Sequence, residues 1–316
     1  MKNRKILIIG GTGALGKTLV KRYYIDNDVI VLSRDEHKHH SLKQVYPDIK
    51  NMIGDIKDKN SIKNCLIRFN PGVVINAAAL KHVPICEDDP FESVKTNIVG
   101  HQNVIEAVTE VGNVKDLIFV STDKACNPIN VYGMCKSISE RLYIEYAKQQ
   151  KDMKVMVVRY GNVLESTGSV IPFFKKLLDD GVDNLPITDV RMTRFVLTLD
   201  DAVDLINWTY YDNESHVNIA VPRVKSVKVT DIAKSLIHMW DKTGKVGLIP
   251  IGIRPGEKLH EEMVSGEEWR RVEELDDFFL ITDDIVNQEM KTYNSLDSLI
   301  DSEDVYDFLI ENGVTK

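Results

Sequence analysis

The strongest constraint on this chain is a run of glycines set directly after its first apolar segment. Residues 5–9 read Lys-Ile-Leu-Ile-Ile, and Gly10-Gly11-Thr12-Gly13-Ala14-Leu15-Gly16 follows with no intervening loop before a helical pattern begins. The run satisfies G-x-G-x-x-G from Gly11 and G-x-x-G-x-x-G from Gly10. Glycine closes the tight turn, lets a pyrophosphate approach the backbone, and leaves the first amides of the helix open to an anion. Alone the motif is weak. Between a first strand and a first helix it predicts the opening βαβ unit of a dinucleotide-binding sheet.

The following pattern agrees. Apolar β-type runs at 29–33, 51–55, 72–78, 116–122 and 155–160 alternate with amphipathic stretches at 14–24, 61–69, 90–111 and 131–149. Continuous apolar strands alternating with helices predict an α/β fold with a Rossmann, doubly wound parallel sheet. After about Asn162 the rhythm loosens. Short strand candidates at 185–188, 195–199, 217–221, 245–250 and 278–282 mix with helices at 200–211 and 230–240, suggesting a smaller mixed C-terminal domain. The tail after Asp284 is acidic and holds at most one terminal helix.

Composition narrows the function classes. The formal net charge of −8 disfavours nonspecific binding to nucleic acid or an acidic membrane. No stretch of eighteen apolar residues and no signal-peptide core is present, so a cytoplasmic, membrane-free protein is expected. Cys65, Cys86, Cys126 and Cys135 form no C-x-x-C, and reduced thiols are expected. His37, His39 and His40 cluster without supporting acid or cysteine spacing, so no metal site is expected.

The second strand ends at Ser33-Arg34-Asp35-Glu36, where NAD enzymes tend to place a carboxylate about 20 residues past the glycines. A small hydroxyl beside Arg34, with Lys38 close by, suits the 2′-phosphate of NADP better than the bare ribose of NAD. Asp55 and Ile56 after the third strand would bracket the adenine, and the small residues around Ala78 mark where a cofactor would pass.

After the fifth strand comes Ser121-Thr122-Asp123-Lys124, then Tyr132 and Lys136 four apart on a helix. Residues so spaced share a helix face. An ammonium near a phenol would lower its pKa from about 10 toward neutrality, making Tyr132 a base for a sugar hydroxyl. Packing is the expected role of Cys126 and Cys135, which flank this segment.

At these residues the chain resembles a known family. STDKACNPINVYGMCK resembles the signature of the polysaccharide-biosynthesis branch of extended short-chain dehydrogenases/reductases, which contains the UDP-N-acetylglucosamine 4,6-dehydratases. The likeness continues through NAAALKHVPICEDDPFESVKTNIVG, RYGNV, GSVIPFFKK, PITDVRMTRFVLTLDD and IGIRPGEKLHEEM, spanning about residues 5–283, and is greatest to the small C5-inverting dehydratases. The resemblance implies that Tyr132 takes the O4 proton while the C4 hydride passes to NADP, with Thr122 bonded to the same hydroxyl. Lys124 would then remove the C5 proton and Asp123 would protonate the departing O6. Hydride returns to C6, and reprotonation from the other face inverts C5, leaving a UDP-4-keto-6-deoxy-L-arabino-HexNAc. A lysine base must be neutral, which requires burial or neighbouring cations.

The resemblance also implies that Lys81 and Asn97 face the cofactor and that Lys81, Asn162, Arg194, Arg254 and Glu257 hold a UDP-N-acetylhexosamine. Arg254 and Glu257, three apart, supply a cation for the diphosphate and an acid for the ribose. It implies a homo-oligomer, dimer or hexamer, pairing through the helices that carry Tyr132 and Asn97. Relatives usually read NVxGSRGSV where this chain has NVLESTGSV, with Glu165 and Thr167 at the sugar loop. The expected division is an NADP-binding Rossmann domain over 1–163, with returning segments near 195–221, and a mainly substrate-binding domain over 164–316. Competing readings are C4 epimerisation, a C5-retaining dehydratase, added C3 epimerisation, and a non-catalytic NADP-binding regulator. Lys124 after Asp123 favours dehydration, and a binding module has no need of the Thr122–Lys136 set.

Overall fold

The computed structural model describes residues 1–150, 152–164, 168–211, 218–241 and 244–315. Six strands in the first half, β1 (Lys5–Ile9), β2 (Asp28–Ser33), β3 (Lys50–Ile53), β4 (Val73–Asn76), β5 (Asp116–Val120) and β6 (Lys154–Val158), are mutually parallel. Three more join from later in the chain: β7 (Ile219–Pro222), β8 (Val272–Glu274) and β9 (Phe278–Ile281). The sheet order is β8-β9-β7-β6-β5-β4-β1-β2-β3, with β9 antiparallel to β7 and β8 antiparallel to β9. Of segment 195–221, expected to return strands to this sheet, only Ile219–Pro222 does so; the strand Thr193–Leu197 pairs instead with Asn162–Val163 and Ser226–Lys228 in a separate three-stranded sheet. The strands at 272–281 also join it, because Phe279, Leu280 and Ile281 are all buried.

The helices are α1 (Ala14–Tyr23), α2 (Glu36–Val45), α3 (Lys59–Phe69), α4 (Val83–Asp88), α5 (Pro90–Val94), α6 (Gly100–Val111) and α7 (Val131–Gln149) in the first half. The two-residue period of β1 shows why the sheet is covered on both faces. Ile6 and Ile8 pack with Leu19, Val20 and Tyr23 of α1 and with Leu205 and Ile206 of the helix Leu199–Tyr211. Leu7 and Ile9 pack with Ile62 of α3, Val104 of α6 and Tyr143 of α7 on the other face. A separate cluster, including Phe174, Leu185, Ile232 and Leu309, forms the core of the smaller C-terminal part. Among the described residues no helix is long and apolar enough to cross a membrane.

Two local departures have physical reasons. The charged stretch holding the three histidines is a helix, α2, capped by Asp35 accepting from the Lys38 amide at 3.0 Å. The expected continuous helix over 90–111 is interrupted by a π turn at Lys95–Val99, with Asn97 in it.

A buried ion network ties the parts together. Arg159, directly after β6 and 1% exposed, donates through Nε and Nη2 to Glu140 of α7 at 3.0 and 2.6 Å. Through Nη1 and Nη2 it also reaches Glu268 at 3.0 and 2.8 Å, and Nη1 donates to the Met263 carbonyl at 2.8 Å. Both acids are themselves buried, so the guanidinium's charge is matched on two sides.

Candidate active site

One cleft of 1090 Å³ runs from the glycine turn across the carboxyl ends of the strands to the C-terminal part. That is where a doubly wound sheet places its ligands. The glycines are required by close approach. Gly10 has φ +83°, and a Cβ there would lie 2.9 Å from the Ala78 backbone; a Cβ at Gly16 would lie 2.4 Å from the Gly10 carbonyl oxygen. The α1 N-cap is Gly13, with no side chain to bond the first amides, so the N–H groups of Ala14, Leu15 and Gly16 are left for an anion. These residues fit the pyrophosphate of a dinucleotide.

The adenosine end differs in detail from expectation. Ser33 does not offer a free hydroxyl: its Oγ lies 2.9 Å from Thr12 Oγ1 and 2.8 Å from Nε2 of buried His39. His39 was not foreseen as part of the site, although its place one turn into α2 was the available signal. Arg34 Nη1 lies 3.6 Å from Asp55 Oδ2, with its side chain 57% exposed, and Lys57 joins the same carboxylate at 3.8 Å. Lys38 pairs with Asp35 at 3.3 Å. Ser33, Arg34, Lys38, Asp55, Ile56, Ala78 and Lys81 all line the cleft. Burial lowers the Lys81 pKa.

Asn97 does not face the cleft. It is fully buried; its Nδ2 donates to the Leu80 carbonyl at 2.8 Å and its Oδ1 accepts from the Leu80 amide at 2.9 Å. Its amide is consumed in fixing the loop that carries Ala78 and Lys81.

The catalytic set forms where β5 ends against the N-terminus of α7. Asn130 caps α7, its Oδ1 accepting from the Gly133 amide at 2.7 Å while its Nδ2 donates to the Gly256 carbonyl at 2.8 Å. The helix carrying Tyr132 and the loop carrying Arg254 and Glu257 are thereby joined. Thr122, Lys124, Tyr132 and Lys136 line the cleft. Asp123 lies behind the wall, 0% exposed, with Oδ1 accepting from Thr122 Oγ1 at 2.8 Å and from Lys124 Nζ at 3.1 Å. It therefore cannot touch a sugar oxygen directly in this arrangement, contrary to the expected direct proton donation.

Two electrostatic expectations are corrected. Lys136 is not among the charges that shift the Tyr132 phenol. Its Nζ donates to the Val120 carbonyl at 2.6 Å and sits 4.1 Å from the Phe119 ring centroid, and burial pulls its pKa down to about 7. Burial, then the Asp123 charge, pushes the Tyr132 phenol up instead. Second, Lys124 is not held neutral. Burial alone would lower its pKa, but Asp123 and Glu261 outweigh burial and raise it. Burial raises the Asp123 pKa in turn.

Glu261 is the residue sequence reasoning missed. It lines the cleft, 3% exposed, with Oε1 3.6 Å from Lys124 Nζ and 3.7 Å from Arg194 Nε. Its neighbour Glu262 looks identical in sequence, and no spacing distinguished the two. On the same side, Lys124 Nζ donates to Asn162 Oδ1 at 3.2 Å. Arg194 Nη1 donates to the Thr193 carbonyl at 2.7 Å. Arg254 is exposed at the cleft mouth, its amide 3.4 Å from Glu257 Oε2. Glu165 and Thr167 lie outside the described residues.

Fold and site together define an extended short-chain dehydrogenase/reductase. The chain belongs to the polysaccharide biosynthesis protein family, whose pattern matches residues 6–283. It is 43% identical, over 90% of this chain and 85% of the other, to the UDP-N-acetylglucosamine 4,6-dehydratase (inverting) of Campylobacter jejuni serotype O:2. It is 38% identical, over 88% of this chain and 83% of the other, to a UDP-glucose 4-epimerase of Rickettsia bellii. The crystal structure of Pen from Bacillus thuringiensis superposes with a TM-score of 0.90 at 31% identity, covering 98% of each chain.

Proposed function

We propose that this protein is a UDP-N-acetylglucosamine 4,6-dehydratase that inverts C5, working with NADP rather than NAD. The observation that carries the reading is Lys124, backed by Asp123, in the cleft that Tyr132 also lines, continuous with a glycine cradle and an arginine-bearing mouth. The 43% identical Campylobacter relative supports the substrate and outcome. A C4 epimerase, as the Rickettsia relative is named, needs a base at O4 but no base–acid pair for C5 and O6.

A nicotinamide bound in the cradle would supply reversible hydride acceptance for C4 oxidation and C6 reduction. The residues do the rest. The glycine turn and the α1 amides would hold the pyrophosphate, and Arg34 would reach the 2′-phosphate. Arg194 and Arg254 hold the UDP diphosphate, Glu257 the ribose, and Lys81 and Asn162 border the sugar. Tyr132 accepts the O4 proton. Its phenol is pushed up in the free site, so the positive charge of an oxidised nicotinamide would have to lower it before it could act. Lys124, once neutral, takes the C5 proton. Asp123, behind the wall, would supply O6 with a proton relayed by the Thr122 hydroxyl to which it is bonded.

Exposed Phe91, Met134 and Ile138 on α5 and α7 support the homo-oligomeric pairing, and the reading places the enzyme in the cytoplasm. NMR of the product made from UDP-N-acetylglucosamine without added cofactor tests the function. A 4-keto-6-deoxy sugar with inverted C5 is expected; a C4 epimer retaining O6 would overturn it.

A further inference from the structure

Glu261 sits beneath the reaction centre on a segment that is strapped to the catalytic turn along its length. Lys258 Nζ donates to the Cys126 carbonyl at 2.7 Å, and Asn127 Nδ2 donates to Glu262 Oε2 at 2.6 Å. Between these two ties the Glu261 amide donates to Ser295 Oγ at 3.0 Å, and the Ser295 amide donates to the Glu261 carbonyl at 2.8 Å. His260, one residue before, shares a bond with Thr193 Oγ1 at 2.8 Å. The backbone at 261 is thus fixed, and its carboxylate is held 3.6 Å from Lys124 Nζ. Its Oε2 is buried and, like Oδ2 of Asp123, has no partner among the described residues. A buried acid with an unsatisfied oxygen is retained at a cost and calls for a reason. Packing does not supply one, since an apolar side chain would satisfy it better.

We propose that Glu261 is a positioning residue for the elimination: it holds the Lys124 amine at the sugar side of the cleft and keeps it charged except while its proton is lent to Asp123. This rests on the dehydratase reading above. The groups around the Lys124 amine are Asp123 on its own turn, Asn162, Arg194 and Glu261. Of the two acids, Glu261 has the extra cations Arg194 and Lys258 near it and stays ionised, whereas burial raises the Asp123 pKa. Asp123 is therefore the acid that can accept the lysine's proton across 3.1 Å.

The cycle balances. An N–H bond of the Lys124 ammonium breaks and an O–H bond forms on Asp123. The neutral amine then takes the C5 proton. The C5–H electron pair becomes the C5–C6 double bond, and the C6–O6 pair leaves on O6. O6 gains the Thr122 hydroxyl proton, and Thr122 regains one from Asp123. One water has left, and Lys124 is again an ammonium between two carboxylates. Glu261 exchanges no proton. Its charge favours the ammonium at the beginning and end of the cycle, which draws the C5 proton onto nitrogen.

The test is the pH dependence of kcat. The active form carries one proton on the Lys124–Asp123 pair, so both limbs of the profile report that pair. Removing a neighbouring negative charge makes each proton easier to lose. Glu261→Gln should move both limbs to lower pH, by about 1–3 units, and Glu261→Asp should leave them near the wild type. Unmoved limbs in Glu261→Gln would overturn the proposal even if kcat fell. A measurement on the unaltered protein guards against a misfolded variant. Competitive labelling with acetic anhydride should show Lys124 titrating above the exposed lysines, and titration at or below them would equally overturn it. If the wild type made no dehydrated sugar, the function reading would fail while the labelling result still judged the charge on Lys124.

Discussion

A Cβ built on Gly133 would lie 2.2 Å from the Lys124 carbonyl oxygen. The helix that carries Tyr132 is therefore seated against the turn that carries Lys124 with no room for even a methyl group. In an exposed helix Gly→Ala gains about 1 kcal/mol. Here overpacking against backbone should reverse the sign, costing Gly133→Ala about 1–3 kcal/mol in denaturant unfolding. The displaced helix should also lower kcat at least tenfold. A variant more stable than wild type would show that this contact yields freely.

Arg34 and Asp55 form a long, half-exposed pair in the free protein, worth little to stability and easily surrendered to a phosphate. Arg34→Ala should lose about 1.5–3 kcal/mol of NADP binding, or roughly 10- to 150-fold in affinity, with NAD nearly unchanged. Cofactor titrations decide it, and equal losses for both would assign Arg34 elsewhere. Asp55→Asn, which frees the guanidinium, should not weaken NADP.

The Arg159 network makes a stability prediction with a defined pH dependence. Burial alone would raise the Glu268 pKa, but Arg159 holds it down to about 2. A carboxyl depressed below its unfolded value stabilises the fold above that value and loses the contribution as pH falls toward the folded one. Wild-type stability from this acid should thus be complete above about pH 5 and fade toward pH 2. Arg159→Met strands two buried carboxylates and should cost about 3–5 kcal/mol at pH 7. That difference should shrink by pH 4, as the stranded acids protonate and the wild type loses its own advantage. A difference independent of pH would mean that packing, not charge, is what Arg159 contributes.

Much of this was legible in the sequence because it is local. The glycine run fixes a turn within seven residues, and β1 reads as a strand buried on both faces without help from the rest of the chain. Tyr132 and Lys136 follow from helical spacing. What was not legible depends on partners far along the chain. The direction of the Lys136 ammonium is set by Val120 and Phe119 of β5. Ser33 is engaged by Thr12 and His39, and Asn97, in a π turn, is spent on Leu80. Glu261 differs from Glu262 only through strand pairing with the segment at Ser295. The Arg159 network joins residues 109 apart.

The central claim is that Tyr132 opens the reaction at O4 and Lys124 acts afterwards at C5. Single-turnover absorbance at 340 nm, with UDP-N-acetylglucosamine and the NADP-loaded protein, measures it directly. Tyr132→Phe removes the proton acceptor with little change of shape, and no reduced-cofactor absorbance should build up. Lys124→Met keeps much of the bulk without the base. Oxidation at C4 should proceed and the 340 nm signal should persist, because elimination slows by about 10²–10⁴-fold. Little solvent deuterium should enter C5. If Lys124→Met turned over near the wild-type rate with deuterium at C5, Lys124 would not be the base, and the account would be contradicted at its centre.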